Sequence, residues 1–269
     1  MENTREKKKI LGFELWELLA YFIIYSICGF FIETIFALVR YGVLESRKSF
    51  LYGPFCSIYG LGAVIMILFL QFFKKNRLTL FVGGFIIGSI TEYLASLIGE
   101  LILHVKWWDY SNMPLNINGR ICLYYSFFWG ILAIFLMRVV HPRIEKFTRL
   151  LVNKLSLKRV ITVTWIITIF IIFDCLLSAY AINCFIVRMV VQNDLNVSNK
   201  DIMIEMNNKF SENKLSSRLI NTLFNNKKMV ITYPNLKIQQ LDGSMVYMKD
   251  LLPEFQPYYY RFQEHDFYK

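Results

Sequence analysis

Five long apolar blocks dominate the chain, and they constrain its fold more than any other feature. They run Leu18–Val39, Leu51–Phe73, Leu78–Leu103, Ile121–Val140 and Val160–Val187. Each is long enough, or nearly so, to cross a hydrocarbon core of about 30 Å, which takes roughly 20 helical residues. The blocks are rich in Phe, Ile and Leu without strict alternation, so barrel strands of about ten alternating residues fit them poorly. Helices are the expectation. With 55% hydrophobic residues in 269, too little polar chain remains to wrap five such helices as a soluble core. The predicted fold class is an all-α membrane protein, a five-helix transmembrane bundle with a small appended C-terminal α/β module. The predicted division is 1–187 for the membrane part and 188–269 for the module.

The basic start Arg5-Glu6-Lys7-Lys8-Lys9 precedes an apolar run too long for a signal peptide, and no A-x-A site follows. The first block therefore reads as a retained helix. Lysines and arginines are distributed unevenly among the links. With the N-terminus inside, fourteen fall on the inner side against five on the outer side, which predicts a cytoplasmic N-terminus and an extracytoplasmic C-terminus. The net charge of +10 then suits an anionic inner leaflet. The lipid bilayer is the expected partner, and no patterned basic surface suggests nucleic acid.

The link Lys74–Arg77 is short enough to make its two flanking helices antiparallel neighbours. The link His141–Arg159 places Ile144, Phe147, Leu150, Leu151 and Leu155 at helical spacing, with Arg143, Lys146, Arg149, Lys154 and Lys158 between them. That is an amphipathic helix at the inner membrane surface, read either as an anchor or as a docking element for a cytoplasmic partner. After Val187 two short helices are expected, through Ile202, Met206 and Phe210 with Ser198 as cap, and through Leu215, Leu219 and Leu223. Asp242-Gly243 signals a hairpin, and Pro257-Tyr258-Tyr259-Tyr260 suits packing or a membrane interface.

Carboxylates inside the spans carry the most chemical information, because one at the bilayer centre costs at least ~2.5–3.5 kcal/mol. Glu33, Glu92, Glu100 and Asp174 are so placed. Each lies on a row of small residues: Ser26, Gly29, Glu33, Ala37; Gly84, Gly88, Glu92, Ser96, Glu100; and Asp174, Ser178, Ala181. Small residues let helices approach, so each acid belongs to an interhelical seam. Two readings stay open, a hydrogen-bonded clamp between helices and a polar path for a cation or polar solute. Over the same face the outer loops bring Tyr52, Trp108, Asp109, Asn118 and Arg120, and Arg120 is placed to pair with one of the acids.

Cys28, Cys175 and Cys184 read as small core residues. Between Cys56 and Cys122 a disulfide is chemically allowed. The only histidines are His104, His141 and His265. Neither H-E-x-x-H nor G-x-S-x-G occurs, so an enzyme is not expected and no cofactor or metal is implied.

Several of these elements together resemble a known family, the CmpB-like ABC-transporter type IV permeases. The likeness rests on Gly29-x-x-x-Glu33, Phe50-Leu51-Tyr52-Gly53-Pro54-Phe55-Cys56 with Ile58-Tyr59-Gly60, Trp108-Asp109-Tyr110-Ser111, Asn118-Gly119-Arg120-Ile121-Cys122-Leu123 and Trp129-Gly130. It covers roughly residues 20–142, with Phe30 where the pattern expects Trp and Ser57 where it expects Pro. The resemblance implies a permease-like subunit. No G-x-x-x-x-G-K-[ST] loop is present, so ATP hydrolysis would fall to a separate subunit. A homo-oligomer is the other partner expected. The competing expectation is a non-transporting scaffold or envelope-sensing protein that presents its outer loops and tail.

Overall fold

Apolar residues unbroken by proline make most of the described chain helical in the computed structural model, which describes residues 9–103, 108–255 and 258–261. Arg5, Lys7, Lys8, His104, Lys106, Trp107, Pro257 and His265 lie outside these residues. A two-strand turn of β1 (Lys9–Ile10) and β2 (Phe13–Glu14) leads into α1 (Leu15–Tyr41), then β3 (Val43–Glu45), α2 (Ser57–Leu70) and α3 (Arg77–Leu103). After β4 (Asn116–Ile117) and β5 (Ile121–Cys122) come α4 (Leu123–Phe135), α5 (His141–Leu155) and α6 (Leu157–Gln192). The remaining elements are α7 (Lys200–Glu212), α8 (Lys214–Thr222), α9 (Asn226–Thr232), β6 (Lys237–Gln239), β7 (Met245–Tyr247) and β8 (Tyr258–Arg261).

Four helical stretches among the described residues are long and apolar enough to cross a membrane: Leu15–Tyr41, Arg77–Ile98, Leu123–Leu155 and Leu157–Gln192. The fifth expected span is shorter. Predicted over Leu51–Phe73, it is an α-helix only from Ser57 to Leu70, with a 3-10 turn over Gln71–Phe73. Residues 49–55 instead close on themselves: Ser49 N donates to Phe55 O (2.7 Å), and Ser57 N donates to Ser49 Oγ (2.9 Å). Gly53 sits at φ +70, where a Cβ would fall 2.3 Å from the Phe55 ring, and Pro54 follows. A left-handed residue next to proline cannot continue an α-helix toward its N-terminus, so the span loses its first six residues.

The link before α3 is short, and Leu70 of α2 and Leu80 of α3 share one core. Asn76 and Thr79 exchange bonds, Thr79 N to Asn76 Oδ1 (2.8 Å) and Asn76 N to Thr79 Oγ1 (3.2 Å), in the manner of a capping box. Between α4 and α5 the helix does not stop; it passes through a π turn over Leu136–Val140. Pro142 has no N–H and crowds the carbonyl four residues back, and a local widening of the helix accommodates both defects. Only Ser156, at φ +74, separates α5 from α6.

Contacts divide the chain into two compact units, Met1–Tyr25 with Ile58–Ile167 and Ser26–Ser57 with Thr168–Lys269. The predicted boundary at 187/188 lies within the second. In the first unit the core is Tyr21, Tyr25, Met66, Ile67, Leu70, Leu80, Ala133, Leu136 and Met137. In the second, Leu51 and the α6 residues Ala181, Phe185 and Met189 pack with Phe224, Met229, Val230, Met248 and Leu252. The C-terminal residues thus use the end of α6 as their core. Arg188 reinforces this, donating to Asn226 Oδ1 (2.8 Å) and to the Phe224 carbonyl (3.0 Å).

Within that unit the two expected short helices are α7 and α8, although α7 begins after Asn199 rather than at a Ser198 cap. The Asp242-Gly243 hairpin is present, pairing Lys237 with Tyr247 and Gln239 with Met245. Two features had no counterpart in the sequence reading. One is α9, capped by Asn225, which accepts from Lys228 N. The other is the antiparallel pairing of β3 with β8, whose partners stand more than 200 residues apart.

Candidate functional site

Of the small-residue rows, that of α3 forms a close helix-helix seam, against α4. A Cβ on Gly84 would lie 2.2 Å from Ala133 Cβ, and one on Gly88 would lie 2.5 Å from Trp129 Cβ. Ser89 donates across this seam to Ser126 Oγ (2.7 Å). One turn further along, Glu92 is buried. Its Oε1 accepts from the Tyr110 hydroxyl (2.9 Å) and its Oε2 from Trp129 Nε1 (2.9 Å). Tyr110 stacks on Tyr125 with ring centres 4.7 Å apart. Burial, and then the bond to Glu92, raise the Tyr110 phenol above its ordinary range, which keeps it a donor.

The C-terminal end of α3 receives the Trp108–Arg120 loop. Arg120 pairs with Glu100 at 2.6 Å, donates to Ser96 Oγ (3.1 Å) and lies over the Tyr93 ring. The expected pairing of Arg120 with a span acid is therefore made with Glu100. Trp108 Nε1 donates to the Arg120 carbonyl (2.9 Å), and Asn118 Nδ2 donates to Tyr93 Oη (2.9 Å). Asp109 turns back on its own loop, accepting from Ser111 N (3.0 Å) and Ser111 Oγ (2.6 Å).

Local sequence explains this loop. Asn118 and Gly119 both take positive φ in the tight connection between β4 and β5, where Asn-Gly is the strongest short-range hairpin signal. At Gly119 a Cβ would fall 2.4 Å from Ser111 Oγ and 2.7 Å from Asp109 Oδ1. Any larger residue would push the hairpin off the Asp109 turn.

Asp174 and Tyr52 belong to the second unit, where they meet. Asp174 is 1% exposed; its carboxylate accepts from Tyr52 N (3.0 Å) and from Ser178 Oγ (3.3 Å), and Ser178 Oγ accepts from Leu51 N (2.8 Å). Two backbone donors of the 49–55 segment are thereby satisfied by one turn of α6. Lys228 donates to the Tyr52 hydroxyl (3.2 Å) and lies 4.3 Å from its ring centre. Lys48 donates to the Leu51 carbonyl (2.8 Å). Burial pushes the Lys48 ammonium below its ordinary range, the Lys228 charge adds to this, and Asp174 opposes both. Glu33 is half-buried on α1, in this same unit.

The predicted residues thus form two arrangements: Glu92, Glu100, Trp108, Asn118 and Arg120, with Asp109 in the adjoining turn, in the first unit, and Asp174 with Tyr52 in the second. Ser96, expected on the same row as the acids, joins the first, and Tyr110, Trp129, Lys48 and Lys228, which were not among the predicted site residues, complete them. Tyr110 and Trp129 had a legible signal, since both stand inside the aromatic motifs of the family pattern. Lys228 had none, because it approaches Tyr52 from 176 residues away. All five cysteines are free thiols, Cys56 and Cys122 included.

The Asp174 contacts predict a measurable release. Asp174→Ala leaves the Tyr52 N–H without its acceptor, a loss of about 1–3 kcal/mol. It should expose Cys56, which is 7% exposed in the native chain, to a maleimide when Cys28 and Cys175 are replaced by Ser. Asp174→Asn keeps a carbonyl acceptor and should leave Cys56 protected; equal labelling of both variants would refute the clamp.

Apolar helices of spanning length, with carboxylates held in their seams by loop side chains, define a polytopic helical membrane protein. More particularly, the chain belongs to the family described as "Putative ABC-transporter type IV", whose pattern matches residues 20–179. That match includes every predicted site residue. No curated protein and no solved structure matches the chain.

Proposed function

We propose that the chain is the membrane-spanning, permease-like subunit of a transporter, powered by a separate ATPase subunit. Family membership supports the class. The observation that carries the site is the arrangement at the outer end of α3. There Glu92, Ser96 and Glu100 follow an i, i+4 row under Trp108, Tyr110, Asn118 and Arg120. A row of acids and hydroxyls below an aromatic-rich loop is suited to receiving a polar or cationic solute, with the Arg120–Glu100 pair as the contact that opens. In this reading the carboxylates bind and orient and have no catalytic role. Uptake measured in cells or vesicles should be abolished by Arg120→Ala and by Glu92→Gln while membrane insertion is preserved; normal uptake in both variants would overturn the assignment.

A second reading, a non-transporting scaffold that presents its outer loops, is favoured by one specific feature. Both Glu92 oxygens are already engaged by donors from the same unit, as a purely structural clamp requires. Recovery of an ATPase subunit with the purified chain would exclude this reading.

The proposed topology places five crossings, with α2 as a short one, the N-terminus in the cytoplasm and the C-terminus outside. Charge supports the fifth crossing. If α2 failed to cross, the links holding Lys74, Lys75 and Arg77 and then Arg138 through Arg159 would face outward, against the positive-inside rule. At 17 residues, α2 and its 3-10 turn span about 25 Å, a mismatch that local thinning of the bilayer absorbs at modest cost. Cysteines engineered at 74–77 should resist an impermeant reagent, whereas those at 42–48 and 205–215 should react. Labelling at 74–77 would remove the fifth crossing.

A further inference from the structure

A recess of about 320 Å³ lies between the first turns of α1 and one face of α5, in the first unit. Neither the acid seams nor the outer loops use it. Its polar lining is Glu17 from α1 and Glu145, Thr148, Arg149 and Asn153 from α5, with Trp16 and Tyr21 also among the lining residues. Tyr21 is 3% exposed and is held edge-on by Phe13 at 6.2 Å and by His141 at 5.1 Å, so that side of the recess is rigid.

Two features identify what such a recess accepts. The first is charge: two carboxylates and one guanidinium leave it one negative charge in excess. Glu145 is paired with Arg149, and Glu17 Oε2 accepts from Glu14 N (2.7 Å). A carboxylate offers about four acceptor sites, so each retains lone pairs for a further donor. A group with several N–H bonds and a positive charge fits between them, and the Arg149 fork with the Asn153 amide fits a phosphate beside it.

The second feature is position. Around Trp16 the chain passes from the polar start into the apolar run Leu18–Ile27, and across the π turn α4 passes into the amphipathic α5. Tryptophan at such a transition marks the headgroup level of a bilayer. Val152 and the exposed Leu157 line the recess beside these polar groups, offering apolar surface where acyl chains would begin.

We propose that this recess binds the headgroup of a zwitterionic phospholipid carrying a primary amine, the ammonium between Glu17 and Glu145 and the phosphate on Arg149 and Asn153. A trimethylated amine lacks the N–H donors the carboxylates require. A lipid with a purely anionic headgroup would bring its charge against both of them.

Native mass spectrometry of the purified full chain, equilibrated with equimolar phosphatidylethanolamine, phosphatidylcholine and phosphatidylglycerol, tests this. The native chain should retain the ethanolamine lipid over either of the others by roughly tenfold, the size of one charge-assisted hydrogen bond. Glu17→Gln with Glu145→Gln should erase that preference while total bound lipid stays the same. Should the double variant not fold, Glu145→Gln alone, at a partly exposed site, should reduce the preference. Equal retention of the three lipids, preference for phosphatidylglycerol, or an unchanged preference in the variants would overturn the proposal. So would a polypeptide occupying the recess in place of lipid. Soluble phosphoethanolamine distinguishes the two sources of this chemistry: it should fail to displace the lipid at equal concentration, and displacement would assign the recess to a free amine instead.

Discussion

Glu92→Ala is expected to destabilise the protein by about 2–6 kcal/mol, because it leaves two part-buried donors unpaired, each worth roughly 1–3 kcal/mol. Trp129 Nε1 and the Tyr110 hydroxyl both end on this carboxylate. The change should appear as a lower midpoint in detergent-phase thermal unfolding followed by circular dichroism. It should also increase proteolysis in the loop holding Tyr110, since the tyrosine is one of the side chains tying that loop to α3. Glu92→Gln retains one acceptor and places an amide N–H against the other donor, so it should cost less than Glu92→Ala and more than nothing. A Glu92→Ala protein as stable as the native chain would show that these bonds contribute no net stability. Because Glu92→Gln should remain largely folded, it also separates structural failure from loss of transport.

An effect of similar size is expected from the single methyl of Gly84→Ala. The new Cβ would lie 2.2 Å from Ala133 Cβ, 2.8 Å from the Trp129 carbonyl oxygen and 3.3 Å from Gly130 Cα. Two of these three neighbours are backbone atoms, which cannot rotate away, so α3 and α4 must separate. Overpacking of this kind costs about 1–3 kcal/mol, and separation would also stretch the Ser89–Ser126 and Glu92–Trp129 bonds. Adding Ala133→Gly should recover part of the loss, since it removes the nearest contact and leaves the Trp129 carbonyl in place. Gly62→Ala is the control. A Cβ there meets nothing within 4 Å, so helix propensity should make it neutral or stabilising by up to about 1 kcal/mol. Equal unfolding midpoints for Gly84→Ala and Gly62→Ala would contradict the close approach of these helices.

How far the site was legible follows from the range of each signal. Glu92, Ser96 and Glu100 stand at i, i+4 spacing, a local pattern that places them on one face of α3 whatever else the chain does. The Asn118-Gly119 pair announces a tight turn by backbone sterics alone. Tyr110 and Trp129, the donors that hold Glu92, are 18 and 37 residues from it. Their aromatic character was visible, but their target depended on how α4 packs against α3. The start of α2 was misplaced for a similar reason. Composition favoured continuing the apolar block back to Leu51, whereas bonds from Leu51 N to Ser178 and from Tyr52 N to Asp174 make a non-helical backbone affordable there.

By itself the sequence determined membrane residence, the helical periodicity, the small-residue rows that carry the acids, and the family. These follow from hydropathy, residue volume and short motifs, which act over a few turns of helix. Tertiary structure alone decided which carboxylates meet which partners. It placed Glu92 and Glu100 under the Trp108–Arg120 loop, and Asp174 beneath the backbone of Leu51 and Tyr52. It also packed the C-terminal residues on the end of α6 and paired β3 with β8. Each of these joins groups 18 to more than 200 residues apart. Such contacts form only where packing offsets the entropy of closing the intervening chain, and that balance depends on the whole fold.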